Sequence, residues 1–233
     1  TQLALSAATA LCHLYGQVSA PRELARMTGR GGTSGIGTAA FGTGGFICDG
    51  GHSLGASKDK SAFLPSSASR GVRPPEVVMR HPFPPRWKVL LAMPENCTGA
   101  SGTGEKDLFS TNCPVPLDEV RQLSHLVLVS LLPALVEEDL ELFGRAVDRM
   151  QGLGFKKVEN SFAHHVTQEL MEAMREAGAA GAGLSSFGPV VFAFGEGDTG
   201  DIERACRKTL DRSGGGEVIC TTGSNTGAQV TVS

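Results

Sequence analysis

Gly183–Thr222, GLSSFGPVVFAFGEGDTGDIERACRKTLDRSGGGEVICTT, runs from a glycine turn into a strand, a helix and a closing strand. Val190, Phe192 and Phe194 fall on one side of the first strand, the period of a half-buried β-segment. Asp201–Leu210 reads as a helix and Glu217–Thr222 as the strand that follows it. Beyond an SNTG turn, Ala228–Val232 reads as a last strand. Upstream, Val77–Met79 and Lys88–Met93 read as strands separated by the turn-forming HPFPPR. Between the two strand regions the pattern is helical. Pro116–Leu135 carries Val120, Leu123, Val127 and Leu131; Glu138–Met150 carries Leu140, Phe143, Val147 and Met150. His164–Ala177 carries Val166, Leu170, Ala173 and Met174, and GAAGAG stops it. Such stripes are core faces. Strand, helices, strand, helix, strand is an α+β order, and it predicts a split βαβ sheet backed by helices.

Further toward the N-terminus, Thr1–Tyr15 reads as a helix with Leu3, Ala7, Ala10, Leu11 and Leu14 at helical spacing. Its many small residues predict burial on most sides. Pro21 opens a second short helix through Met27, and Gly45–Asp49 reads as a short strand. The chain begins in mid-helix pattern and without methionine, so an N-terminal part of the natural protein is expected to be missing. Ser53–Arg73 is polar and irregular, read as a flap or a tolerated insertion.

A chain of 233 residues with 40% hydrophobic residues can bury an ordinary core. Net charge is −3, and one Trp and one Tyr leave little for base stacking, so no nucleic-acid partner is expected. The six cysteines, Cys12, Cys48, Cys97, Cys113, Cys206 and Cys220, form no CxxC pair and no zinc or disulfide framework, which predicts a reducing, cytoplasmic setting. The longest apolar run, Leu126–Val136, is too short to span a bilayer and contains Pro133, so no membrane span is expected.

Chemistry concentrates in Gly29–Gly55, GRGGTSGIGTAAFGTGGFICDGGHSLG, where 11 of 27 residues are glycine. So much glycine weakens regular structure, and it suits backbone that must pass close to a ligand or aim amides at an anion. Arg30, Thr33, Ser34, Gly35 and Gly37 are the candidates for phosphate or carboxylate contact. Asp49 is the candidate ligand of Mg²⁺ beside a diphosphate, with a turn or cap residue as the alternative. His52 reads as an acid/base or substrate-orienting group, or as an exposed loop histidine. Two more loops share this character: Pro94–Gly104, and Gly181–Gly188 with Gly183, Ser185 and Ser186. Glycines with paired hydroxyls at two distant places suit one polyanionic ligand, although GAGLSSFG also reads as a plain helix-to-strand turn. His164 and His165 are adjacent at a helix start and make an unlikely metal pair. No GxSxG elbow, HExxH or complete Walker loop is present.

GRGGTSGIGTAAF, GGFICDGGH, LPALVEEDLELFGRAVDRMQ, GFKKVE and GAGLSSFGPVVFAF, in this order, resemble the β-ribofuranosylaminobenzene 5′-phosphate synthase family, which has the GHMP kinase fold. The resemblance runs along nearly the whole chain. It implies a two-subdomain α+β protein lacking its N-terminal strands, with residues 1–85 as the remainder of an N-terminal-type domain and 86–233 as a C-terminal-type domain. It also implies a phosphoribosyltransferase that joins phosphoribosyl pyrophosphate to 4-aminobenzoate or 4-hydroxybenzoate, losing CO₂ and pyrophosphate, in methanopterin synthesis. Mg²⁺ as cofactor and a homodimer belong to the same expectation. The site roles given above rest on residue type and motif position; the resemblance does not assign them. The competing reading is an ATP-dependent small-molecule kinase, the commoner activity of this fold. A non-catalytic relative is the third.

Overall fold

The computed structural model describes residues 1–32, 34–51, 73–97, 108 and 111–231. The chain divides into two units. The first comprises Thr1–Phe83, Glu105–Pro114 and Ser224–Ser233; the second comprises Pro84–Gly104 and Val115–Gly223. The first crossing thus falls two residues before the 85/86 boundary read from the sequence, and the closing segment groups with the first unit. Side-chain chemistry explains that return. The Asn225 amide accepts from the Phe83 N–H at 2.6 Å and donates to the Phe83 carbonyl at 2.8 Å. Arg80 donates to the carbonyls of Asn225, Thr43 and Gly44.

In the first unit, α1 (Gln2–Leu14), α2 (Pro21–Met27) and α3 (Ile36–Thr43) meet around Leu5, Leu24, Ala25 and Phe41. β1 (Phe46–Asp49) pairs antiparallel with β2 (Val77–His81). Helix α1 is not buried on most sides as its small residues suggested. Leu5 is its buried residue, while Leu3 and Leu14 are 84% and 76% exposed. Helix α3 was not expected among so many glycines. Its ends are held from outside: the Asp49 carboxylate stands at its start, and Arg80 binds carbonyls at its finish, the signs that the helix dipole favours.

The second unit holds β3 (Trp87–Pro94), followed by α4 (Leu117–Leu126), which continues through a wide-turn segment at Val127–Leu131 into α5 (Leu132–Glu137). Pro133 has no N–H to give the Val129 carbonyl, which suits a local change of register there. Then come α6 (Leu140–Met150), α7 (Gly154–Ser161), α8 (His165–Glu176), β4 (Gly181–Leu184), β5 (Val191–Glu196), α9 (Gly200–Arg212) and β6 (Gly216–Thr222). The sheet order is β4-β5-β3-β6 with every neighbour antiparallel. The unit's first strand is therefore central, which is the split βαβ arrangement. Leu90 sits across from Ala193 on one side and Cys220 on the other. One face buries Leu90, Ala92, Leu184 and Val191 against Val166, Leu170 and Met174 of α8 and Ile202, Cys206 and Leu210 of α9. Each fully buried Leu contributes roughly 1.5–3 kcal/mol of transfer free energy. Phe143 of α6 stacks between Trp87 and Phe194 at 4.9 and 5.1 Å.

Three further elements differ from the sequence reading. Gly181–Leu184 is a fully buried strand and not part of a turn. Glycine is needed there because α6 passes so close that a Cβ on Gly181 or Gly144 would overlap the other's backbone or that of Ala180. Residues 228–231 form no strand. The amphipathic α7 was missed outright. The run Leu117–Glu137 is 21 residues and contains an 18-residue window of mean hydropathy 1.3, long and apolar enough to cross a bilayer by those two measures alone. Asp118, Glu119 and Arg121 stand near its start; Leu126, Leu131, Ala134 and Leu135 are buried, whereas Leu128, Val129 and Val136 are more than half exposed. Glu119 also accepts from the Gly154 N–H at the start of α7 and from Lys157, bonds that hold its carboxyl below the ordinary range.

Candidate functional site

In the first unit the glycine loop leads straight into α3. Arg30 is exposed, its backbone N–H is tied to the Ala25 carbonyl, and no ion pair or side-chain hydrogen bond joins its guanidinium to another described residue. Gly31 and Gly32 are buried. Gly31 has φ +78°, and a Cβ there would lie 2.8 Å from both Thr38 Oγ1 and Pro74 Cγ, so only glycine fits. Thr38 is buried, and its hydroxyl has no hydrogen-bond partner among the described residues.

Asp49 organises the rest. Its Oδ2 accepts from the Gly35 N–H at 2.5 Å and from Ser34 Oγ at 3.3 Å, and its Oδ1 accepts from the Gly51 N–H at 3.0 Å. Ser34 Oγ in turn accepts from the Ile36 N–H at 3.3 Å. The structure thus brings Ser34, Gly35 and Asp49 together, with the protein's own carboxylate at the place where an anion would bind. The Gly35 amide, read as a phosphate contact, is committed to Asp49. Gly37 lies within α3, where its carbonyl accepts from Gln2 Nε2 at 2.7 Å. Thr33, His52, nearly all of Ser53–Arg73 and the greater part of Pro94–Gly104 lie outside the described residues.

The second unit presents Ser185 and Ser186 on an exposed turn between β4 and β5. The Ser185 N–H donates to Val190 O and the Gly188 N–H to Ser185 O, both at 2.9 Å. Ser186 has φ +51°, an uncommon place for a residue with a side chain. Gly183 is corrected: it is a buried residue of β4, where a Cβ would come within 2.7 Å of Gln151 Nε2 and Phe192 Cζ. Its missing side chain makes room for packing, not for a ligand.

A cavity of about 420 Å³ is lined by Glu138, Asp139, Glu141 and Glu196 among others. Arg86 balances only part of that charge, through Glu138 at 3.1 Å and Glu196 at 2.9 Å, so the sign is wrong for a phosphorylated substrate. Cys97 Sγ lies 3.3 Å from His164 Nδ1, which also accepts from the Val166 N–H and so serves as the cap of α8. The His164 and His165 ring centroids are 4.2 Å apart, with the ring planes tilted by 34°. Among the described residues no three His, Cys, Asp or Glu side chains gather as metal ligands.

The split βαβ sheet with its two helices and the glycine-rich loop before α3 define a protein of the GHMP kinase fold. Residues 131–212 match the family model for the GHMP kinase C-terminal domain. Homoserine kinase from Cytophaga hutchinsonii superposes with a TM-score of 0.68 at 20% identity, over 96% of this chain and 64% of that one, a likeness of fold. The chain is 43% identical over 228 residues to a β-ribofuranosylphenol 5′-phosphate synthase from Methanothermobacter thermautotrophicus, covering 98% of this chain and 67% of that protein. It is 42% identical over 231 residues to the protein of the same name from Methanocaldococcus jannaschii, covering 99% and 68%. The chain belongs to the β-ribofuranosylphenol 5′-phosphate synthase family, and it spans about two thirds of the length of these relatives.

Proposed function

We propose that the full-length protein is a phosphoribosyltransferase that condenses phosphoribosyl pyrophosphate with 4-hydroxybenzoate, releasing CO₂ and pyrophosphate, in methanopterin synthesis. The observation that carries this reading is the 42–43% identity along essentially the whole chain to relatives named for a ribofuranosylphenol 5′-phosphate product. A phenol product selects the hydroxyl-bearing acceptor over the amine.

The bond from the anomeric carbon to the pyrophosphate oxygen breaks, leaving oxocarbenium-like charge on the sugar. The ring carbon bearing the carboxylate, made electron-rich by the hydroxyl across the ring, bonds to the anomeric carbon. The carboxylate then leaves as CO₂, and its bonding pair restores the aromatic ring. The protein's task is to hold two anions and stabilise the departing one. Arg30 supplies an exposed guanidinium without a competing carboxylate among the described residues, suited to a phosphate or the acceptor carboxylate. Ser185 and Ser186 offer hydroxyls from a turn of fixed shape. Asp49 is already used by Gly35, Gly51 and Ser34, so its remaining lone pairs suit a cation that brings most of its coordination with it. That is how Mg²⁺ commonly binds, through one or two carboxylates plus substrate phosphates and water. Bound there, Mg²⁺ would neutralise charge on the leaving pyrophosphate. The six cysteines are all free thiols, which supports a cytoplasmic setting. A homodimer is proposed on the family resemblance alone.

The test is turnover of the full-length protein with carboxyl-labelled 4-hydroxybenzoate or 4-aminobenzoate. Labelled CO₂ released from the hydroxy acid, and only with phosphoribosyl pyrophosphate present, is the expected result. Release from the amino acid alone would reassign the acceptor. Tight ATP binding with no CO₂ from either acid would move the protein to the kinase reading.

A further inference from the structure

We infer that Lys156 is the positioning residue of the Ser185–Ser186 turn, and that GFKKVE at the start of α7 is built to hold that turn. The inference rests on the proposed function, with the phosphoribosyl donor as the anion that the hydroxyls of this turn contact. Lys156 Nζ donates to the Leu184 carbonyl at 2.9 Å and to the Ser186 carbonyl at 3.2 Å, and it pairs with the Glu159 carboxylate. An ammonium has three N–H donors, so these three acceptors use it fully. Lys156 is therefore spent inside the protein, and any effect on substrate passes through the backbone that it grips. With its side chain 25% exposed and that of Glu159 12%, the pair is shielded enough to act as a fixed clamp and not a surface ion pair.

Each contact falls on a different peptide of the turn. Binding the Leu184 and Ser186 carbonyls fixes the peptide plane that precedes Ser185 and the one that follows Ser186, and with them the directions in which the two hydroxyls leave the backbone. Ser186 needs such a hold, because φ +51° is a conformation that a side-chain-bearing residue keeps only when its surroundings impose it. The same helix region grips the turn at two more points. Phe187 is buried edge-on to Phe155 at 5.9 Å. The Leu184 N–H donates to Gln151 Oε1 at 3.1 Å, and the Gln151 carbonyl accepts from Asn160 at 2.8 Å. Residues 151–160 thus form one cradle for one turn, with the charged member at its centre.

Steady-state kinetics of the full-length protein test the inference with three variants. Lys156→Met keeps the stem and removes all three donors, Lys156→Arg keeps the charge, and Ser185→Ala/Ser186→Ala removes the hydroxyls. Lys156→Met is expected to raise KM for phosphoribosyl pyrophosphate about tenfold while KM for the aromatic acid stays within about twofold. Lys156→Arg is expected to recover most of the loss. A purely structural lysine would instead lower the thermal midpoint and leave the ratio of the two KM values unchanged, and that outcome overturns the inference. So does an unmoved donor KM in Lys156→Met when the double serine variant raises it. If the serine variant moves neither KM, the turn is not a donor site and the inference falls with that reading. Should Lys156→Met fail to fold, Lys156→Gln, which retains one N–H donor pair, carries the same comparison with a smaller rise of about threefold.

Discussion

Asp49 takes three hydrogen bonds within its own unit before any ligand is considered. A charge-assisted bond to a backbone N–H is worth about 1.5–3 kcal/mol, and the carboxylate also sits at the positive end of α3. Asp49→Ala should therefore lower the urea midpoint of the 233-residue chain by an amount equivalent to about 2 kcal/mol. Ser34→Ala, which removes only 3.3 Å contacts, should cost about 1 kcal/mol or less. Equal midpoints for Asp49→Ala and the unaltered chain would show that the carboxylate does nothing for the fold and is held there for a ligand. At this scale the sequence singles out residues of the first loop by their chemistry and does not show their partners. Arg30, Ser34 and Asp49 stand out by residue type, and the structure joins Ser34 to Asp49 while leaving Arg30 exposed. The bond from Gly35 to Asp49 was not legible, since it joins residues 14 apart through a chain reversal that no local pattern encodes. Gly183 was misread for the related reason that a glycine excluded from bulk by Gln151 and Phe192 looks the same in sequence as one turned toward a phosphate.

Periodicity exposed every long helix of the second unit and both strands after the SSFG turn, because those elements bury one face against one core. The elements missed were short, or were glycine-rich for reasons of packing. Helix α3 survives its glycines because Asp49 and Arg80 hold its ends, and strand β4 consists of GAGL because α6 lies almost against it. The second case has a measurable consequence. A Cβ on Gly181 would overlap the Gly144 backbone, and neither the buried strand nor the helix can yield without disturbing Asp148, which ties Arg175 and the Ala182 N–H at 2.7 and 3.0 Å. Gly181→Ala is expected to destabilise the chain by about 3 kcal/mol, at or above the upper end of ordinary overpacking. Gly178→Ala, on the neighbouring loop, meets nothing within 4 Å and differs by carrying only the cost of its φ of +96°. Thermal melts of the two variants side by side separate close approach from backbone strain; an equal loss in both would remove the packing explanation for β4.

Among the described residues the two units gather apolar clusters of different size, and the smaller is expected to open first. Among the described residues the first unit gathers Leu5, Leu24, Ala25 and Phe41, with Ala8 and Cys12 partly buried against them. The second assembles a far larger cluster around α8, α9 and the sheet. Regions with few buried apolar contacts open at lower free energy than regions with many. Thiols distributed through both units can report it. Cys220 is exposed, whereas Cys206 is fully buried and burial pushes its thiol up to about 11. Cys48 is also raised, by burial first and by the adjacent Asp49 second. Only the thiolate attacks an alkylating reagent, so at pH 8 the folded Cys206 has roughly a hundredfold less reactive form than an ordinary thiol, besides being out of reach. A short pulse of iodoacetamide at increasing urea, read by mass spectrometry, should mark Cys220 without denaturant. Cys12 and Cys48 should follow at low urea, and Cys206 only at the transition of the second unit. If Cys12, Cys48 and Cys206 all become reactive at one urea concentration, the chain unfolds as a single cooperative body and the smaller cluster confers no separate weakness.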